Sequence, residues 1–116
     1  MSTAPPPLPY VQNAVIEQRK LLDYVLNPDH PVGGHKARVF AAALGFTQSN
    51  SNDLEAEIRR ALATHPAHER PLKPWGREFT ADLWLTGPLG CAIVRTGWML
   101  HNDSEVPRMT TAFVHR

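Results

Sequence analysis

The residues best suited to chemistry lie in one stretch, residues 27–40, which reads NPDHPVGGHKARVF. Two glycines precede a helical pattern there, and the free N–H groups at a helix start bind anions. Basic residues occupy the same helix start, although the helix dipole favours acidic ones. The stretch therefore predicts a phosphate-binding site, with Gly33, Gly34, His35 and Arg38 as phosphate ligands. The alternative is an ordinary turn between two helices whose basic side chains are solvated.

A second candidate is the last predicted strand, residues 108–114, which carries Arg108, Thr110 and Thr111. Side chains alternate between the two faces of a strand, so Arg108 shares a face with Thr110. Thr111 reaches that face only if a β-bulge intervenes, and the sequence leaves this choice open. In the functional interpretation, Arg108 and one threonine face a cleft at the His30 loop and bind a phosphate. In the other, the strand is an edge strand with a polar face.

The elements that must position these residues follow from hydrophobic periodicity. Apolar residues recur at helical spacing in the first half of the chain and alternate in the last third. Helices are predicted over residues 15–26, 35–44 and 53–64, and strands over 79–86, 91–100 and 108–114. A capping box formed by Asn52 and Glu55 is predicted to open the third helix. The pattern favours an α+β fold, in which three N-terminal helices pack on a C-terminal antiparallel meander of three or four strands.

Composition bounds the remaining possibilities. The chain has 116 residues and a formal net charge of +1. Its length matches one domain, predicted over residues 13–116, and the proline-rich residues 1–12 are predicted to form a flexible leader. The single cysteine, Cys91, excludes an internal disulfide, and we found neither a membrane span nor a secretory signal. We therefore expect a cytoplasmic protein without membrane contact.

No metal site or other cofactor is predicted. His65 and His68 have a spacing found in metal sites, but Pro66 lies between them. Neither a carboxylate nor a thiolate nearby completes a ligand set.

Several motifs together resemble a bacterial domain family of unknown function. They are N-P-x-H-P-x-G-G-x-K-A-x-x-F from Asn27 to Phe40, Leu44-Gly45-Phe46, Leu85-Thr86-Gly87-Pro88, Trp98, and Pro107-Arg108-Met109-Thr110-Thr111-Ala112-Phe113. The layout of helices followed by an antiparallel sheet is similar, more distantly, to the barnase, EndoU, colicin and RelE group of small ribonuclease toxins. That resemblance implies RNA as substrate and a cognate antitoxin or immunity protein as partner. The family usually has tyrosine where this chain has Phe113.

The resemblance implies a catalytic set of His30, Lys36, Arg108 and Thr111. A metal-independent ribonuclease needs a base for the 2′-hydroxyl, an acid for the leaving oxygen and donors for the phosphate charge. In this scheme His30 transfers a proton, Lys36 and Arg108 bind the phosphate, and Thr111 donates a hydrogen bond. The alternative function is a non-catalytic adaptor or antitoxin-like domain, in which the same motif only joins two helices.

Overall fold

The computed structural model describes residues 5–115, in which short helices precede an antiparallel sheet. A 3₁₀ turn (Val11–Asn13) comes first, and α1 (Gln18–Lys20) then continues as a π-helical turn over Leu21–Val25. The other elements are α2 (Gly34–Leu44), α3 (Ser51–Leu62), β1 (His68–Glu69), β2 (Gly76–Gly87), β3 (Gly90–His101) and β4 (Arg108–Val114). The predicted α+β fold, with helices ahead of the strands, is confirmed.

The sheet is a meander with strand order β1-β2-β3-β4, all pairs antiparallel. β2 and β3 form a long hairpin closed by the pair Gly87 and Gly90. The two-residue β1 lies between the third predicted helix and the first predicted strand, where neither a helix nor a strand is predicted. Two residues are too few for an alternating pattern to be visible, so this strand has no signal in the sequence.

The core lies between the helices and one face of the sheet. Trp98, Phe40 and Leu83 are at most 1% exposed. Burying large apolar side chains provides most of the stabilisation of a domain of this size. The polar atoms of the core are paired, since the Trp98 indole donates to Thr96 Oγ1 at 2.8 Å, and that hydroxyl donates to the carbonyl of Ala81 at 2.8 Å.

The first helix is much shorter than predicted. Val15 is extended and forms a parallel bridge with Arg108, so it extends the sheet beyond β4 instead of starting a helix. The predicted capping box at Asn52 and Glu55 is wrong as well. The capping box is formed by Thr47 and Asn50, one short 3₁₀ turn (Gln48–Asn50) before α3.

Residues 5–12, predicted as part of a flexible leader, lie against the domain. Leu8 is only 2% exposed, and the carbonyl of Pro6 accepts a hydrogen bond from the amide of Ala67 at 2.9 Å. Residues 1–4 of the leader lie outside the described residues. Among residues 5–115 the longest helix spans 12 residues, and we found no helix both long and apolar enough to cross a bilayer.

Candidate functional site

The face of the sheet opposite the helices, which we call the outer face, carries the polar side chains of the strands. Burial alternates along β2, where Phe79, Ala81, Leu83 and Leu85 are buried and the residues between them are not. The cross-strand register then assigns the residues of the other strands to one face or the other. The outer face holds His68, Glu78, Thr80, Asp82, Trp84, Thr86, Cys91, Ile93, Arg95, Gly97, Met99, Arg108, Thr111 and Phe113.

A β-bulge in β4 brings both threonines to the face that carries Arg108. Gly97 pairs with Thr111, whereas the next residue of β3, Trp98, pairs with Met109, so Thr110 is the extra residue. The inserted residue shifts the alternation by one position. Arg108 and Thr111 therefore share the outer face, while Met109 is buried between them and the helices.

Gly97 leaves a gap in the middle of the outer face. A Cβ atom at this position would lie 2.9 Å from Thr110 Oγ1 and 3.1 Å from Thr111 Cγ2. The gap continues into a cleft of about 220 Å³. The residues that line the cleft are Arg70, Glu78, Phe79, Thr80, Gly97, Trp98 and Thr110. Hydroxyl groups, a guanidinium and a carboxylate thus surround one small opening.

His68 stands beside this cleft. It pairs with Thr80 across β1 and β2, which places its imidazole on the outer face, and the residue is exposed. Two strand spacings separate His68 from Gly97, or roughly 10 Å between Cα atoms. A group bound over Gly97 therefore lies within reach of the imidazole from one side and of Thr111 from the other.

An ion pair between Arg95 and Asp82 lies next to the Gly97 gap on the outer face. Arg95 Nε and Nη2 donate to the two carboxylate oxygens of Asp82 at 2.8 and 2.9 Å, and Nη2 also approaches His115 Nε2 at 3.3 Å. These hydrogen bonds from Arg95 are the main reason that the pKa of Asp82 lies below its ordinary value, and the charge of Arg95 lowers it further. Because an arginine can only donate, the His115 Nε2 atom is held as an acceptor.

Lys36 reaches the outer face from α2. Its Nζ atom lies 4.2 Å from the centre of the Phe113 ring, a cation–π contact. Phe113 pairs directly with Arg95 and lies two residues from Thr111. The helix that follows the glycine turn and the last strand thus contribute to one surface. Arg108 lies five residues from Phe113, roughly 15 Å along the strand, and pairs weakly with Glu17 at 3.5 Å.

His30 is occupied within its own loop. Its Nδ1 atom accepts the amide N–H groups of Val32 and Gly33, both at 3.0 Å, and its ring packs edge-on against Tyr24. Protonation of Nδ1 would break both hydrogen bonds. The imidazole therefore acts as a brace that shapes the turn before α2.

The predicted phosphate ligands of the loop also have structural contacts. A Cβ on Gly34 would lie 2.5 Å from the carbonyl oxygen of Pro28, so only glycine fits there, and a Cβ on Gly33 would lie 2.8 Å from the Tyr24 ring. Arg38 Nη2 donates to the same Pro28 carbonyl at 2.9 Å. The amides of Gly33 and Gly34 donate to His30, whereas the side chain of His35 is exposed. These glycines and Arg38 thus help to form the loop.

No metal centre is visible among residues 5–115, where no group of three His, Cys, Asp or Glu side chains could hold an ion. His65, which has the metal-site spacing with His68 in the sequence, forms hydrogen bonds to the backbone instead. Its Nδ1 bonds the carbonyl of Ala61 at 2.7 Å, and its Nε2 accepts the amide N–H of Trp84 at 3.3 Å.

Several outer-face residues were missed in the search for site residues, namely His68, Arg70, Glu78, Thr80 and Trp84. The positions that alternate with the buried residues of β2 are a usable signal for Glu78, Thr80 and Trp84. No comparable signal marks His68 and Arg70, because their place beside β2 depends on a two-residue strand.

A family model described as "Domain of unknown function (DUF6883)" matches residues 7–116, almost the whole chain. No curated protein and no solved structure matches this sequence.

Proposed function

The chain belongs to the DUF6883 family of unknown function, and we propose that it is a metal-independent ribonuclease whose outer face binds and cleaves RNA. The observation that carries the proposal is the meeting of Lys36, Thr111 and the Gly97 gap on one open surface. Cationic and hydroxyl donors around an opening without a side chain suit a phosphodiester group.

The reacting phosphate lies over Gly97 in this proposal. The hydroxyl groups of Thr80 and Thr110, which line the cleft, donate to its oxygens, and Thr111 borders the gap with its methyl group. Lys36 and Arg108, located towards opposite ends of β4, bind phosphates on either side along the strand. Arg70 adds a further cation at the wall of the cleft.

Cleavage uses the 2′-oxygen of the substrate as nucleophile. The 2′-oxygen forms a bond to phosphorus while the bond from phosphorus to the 5′-oxygen breaks, giving a 2′,3′-cyclic phosphate and a free 5′-hydroxyl. The Glu78 carboxylate takes the 2′-proton, and the protonated His68 imidazole gives a proton to the leaving oxygen. Glu78 lines the cleft at the Gly97 gap, and His68 lies on the same face, two strands away from Gly97.

Proton transfer is assigned to His68 instead of His30 because of their hydrogen bonds. The Nδ1 atom of His30 holds two backbone amides, whereas His68 is exposed beside the cleft. His115 is less suited, since its Nε2 atom faces Arg95. His30 contributes indirectly in this proposal, because it shapes the loop from which Lys36 extends.

A non-catalytic adaptor is the second candidate. The observation that favours it is the structural use of the glycine motif, in which the glycines, His30 and Arg38 all contact their own loop. A motif of that kind suits a rigid binding module as well as an enzyme. In that case the outer face would bind a protein or an RNA without changing it.

Single-stranded RNA incubated with the protein in chelator tests the proposal. We expect cleavage by the wild type and a loss of about 100-fold or more in His68→Ala, the usual effect of removing a general acid. Lys36→Ala should weaken cleavage as well. Thr86→Val, on the outer face at the far end of β2, is the matched control and should cleave normally.

Intact RNA in the presence of folded wild-type protein would favour the adaptor. Cleavage that survives in His68→Ala but disappears in His30→Ala, with both variants folded, would return the proton-transfer role to His30.

A further inference from the structure

Trp84 exposes its side chain on the outer face. The residue is 50% exposed, although tryptophan is buried in most of its positions in proteins. It pairs with Ile93, whose side chain lies beside it on the same face. The two form a flat apolar area next to the polar row around Gly97.

The backbone of Trp84 is fixed by α3 and the residues after it. Its amide donates to His65 Nε2 at 3.3 Å, and its carbonyl accepts a hydrogen bond from Arg60 Nη2 at 3.4 Å. β1 does not extend this far along β2, so these side chains satisfy the free edge of the strand. An exposed ring on a fixed backbone loses little conformational entropy on binding.

Cationic groups accompany the ring. Arg95 lies diagonally across from Trp84 on β3, and it forms an ion pair with Asp82 through two hydrogen bonds. Lys36 lies beyond Arg95, over Phe113. Alternation of an aromatic ring with basic side chains is the arrangement by which proteins hold unpaired nucleotides.

We infer that Trp84 is a stacking platform for an unpaired base, so that the substrate is single-stranded RNA. This inference rests on the proposed function of the outer face and adds the substrate class to it. Trp84 lies four residues from Thr80, about 13 Å along β2, so a short oligonucleotide can bridge the ring and the Gly97 gap. Bases within a duplex are stacked on one another and cannot reach the ring.

The three tryptophans of the chain provide the test. Trp98 is buried, and Trp75 is 51% exposed in the loop before β2, so Trp75 matches Trp84 in exposure but not in position. The probe is a 2′-O-methyl hexaadenylate, which cannot be cleaved because its 2′-oxygen is blocked. Tryptophan fluorescence measures how strongly the bound probe quenches the protein. Fluorescence anisotropy of a labelled probe measures its affinity for the protein.

We expect the probe to quench the fluorescence of Trp75→Leu, which retains Trp84, and not that of Trp84→Leu. The affinity of Trp84→Leu for the probe should fall at least about fivefold, the lower end of the effect of one base–aromatic stack. The same probe annealed to its complement should bind more weakly than the single strand.

Equal quenching in the two variants, or equal affinity for single strand and duplex, would overturn the inference. Its failure is distinguishable from failure of the proposed function. If Trp84 is quenched by the probe but ordinary RNA is not cleaved, the stacking role of Trp84 is supported and the ribonuclease proposal is excluded. If RNA is cleaved and Trp84→Leu binds the probe as tightly as the wild type, only the stacking role of Trp84 is excluded.

Discussion

Gly97 shows how a single residue determines the chemistry available on the outer face. It occupies the position between Thr80 and Thr111 where any other residue would project a side chain. The bulge at Thr110 brings a second threonine hydroxyl against the same position. The space above Gly97 is therefore bordered by the Thr110 hydroxyl and the Thr111 methyl group, while its centre is left open.

Gly97→Ala tests this use of the gap. The new methyl group would lie 2.9 Å from Thr110 Oγ1 and 3.1 Å from Thr111 Cγ2, so these side chains must move and the phosphate position is filled. We expect RNA cleavage to fall at least tenfold, while the free energy of unfolding falls by no more than about 1–3 kcal/mol, as is usual for overpacking. Cys91→Ala, an exposed position on the same face of β3, is the control. Unchanged cleavage by a folded Gly97→Ala protein would exclude the gap as the phosphate site.

At the scale of elements, α3 holds the free edge of β2. The Glu57 carboxylate accepts the amide N–H of Thr86 at 2.8 Å and two hydrogen bonds from Arg60, each at 2.8 Å. The hydrogen bonds from Arg60 are the main reason that the pKa of Glu57 lies below its ordinary value of 4.5, and the Thr86 amide lowers it further. A helix side chain thereby replaces the missing neighbouring strand.

This contact makes stability depend on pH. The pKa of Glu57 is lower in the folded than in the unfolded protein, so the contribution is present above pH 4.5 and is lost as the pH falls through the folded value. Glu57→Gln should lower the free energy of unfolding by about 1 kcal/mol at pH 7, and its difference from the wild type should shrink below pH 4.5. Urea unfolding at several pH values measures the free energy of unfolding of each variant and its dependence on pH. The control is Glu55→Gln, which breaks only a pair with Arg59 on the same helix and should cost less than about 0.5 kcal/mol. If the free energy of unfolding of Glu57→Gln differs from that of the wild type by the same amount at every pH, this account is contradicted.

At the scale of the whole molecule, the sequence predicted the fold, whereas the proposed site depends on contacts between distant segments. Alternation predicted β2, β3 and β4 well, because one face of a sheet is buried and the other is not. Helical spacing likewise predicted α2 and α3. The residue types of the loop at His30 predict a phosphate site because they suit an anion, yet the Gly33 amide and Arg38 form hydrogen bonds within the loop.

The parts of the site that the sequence did not predict depend on contacts between distant segments. The bulge that aligns Arg108 with Thr111 was recognised as necessary but could not be located, since it depends on pairing with Gly97. The position of His68 depends on β1, and the reach of Lys36 to Phe113 depends on how α2 packs beside β4. Such tertiary contacts leave no local pattern in a single sequence.

The most direct test of the central claim uses a single-stranded DNA oligonucleotide that contains one ribonucleotide, incubated with the wild-type protein in chelator. Attack by a 2′-oxygen is possible only at that nucleotide. We predict a single cut on its 3′ side, with a 2′,3′-cyclic phosphate on one product and a 5′-hydroxyl on the other, both identified by mass spectrometry. An intact oligonucleotide, or cuts at deoxyribonucleotide positions, would contradict the account.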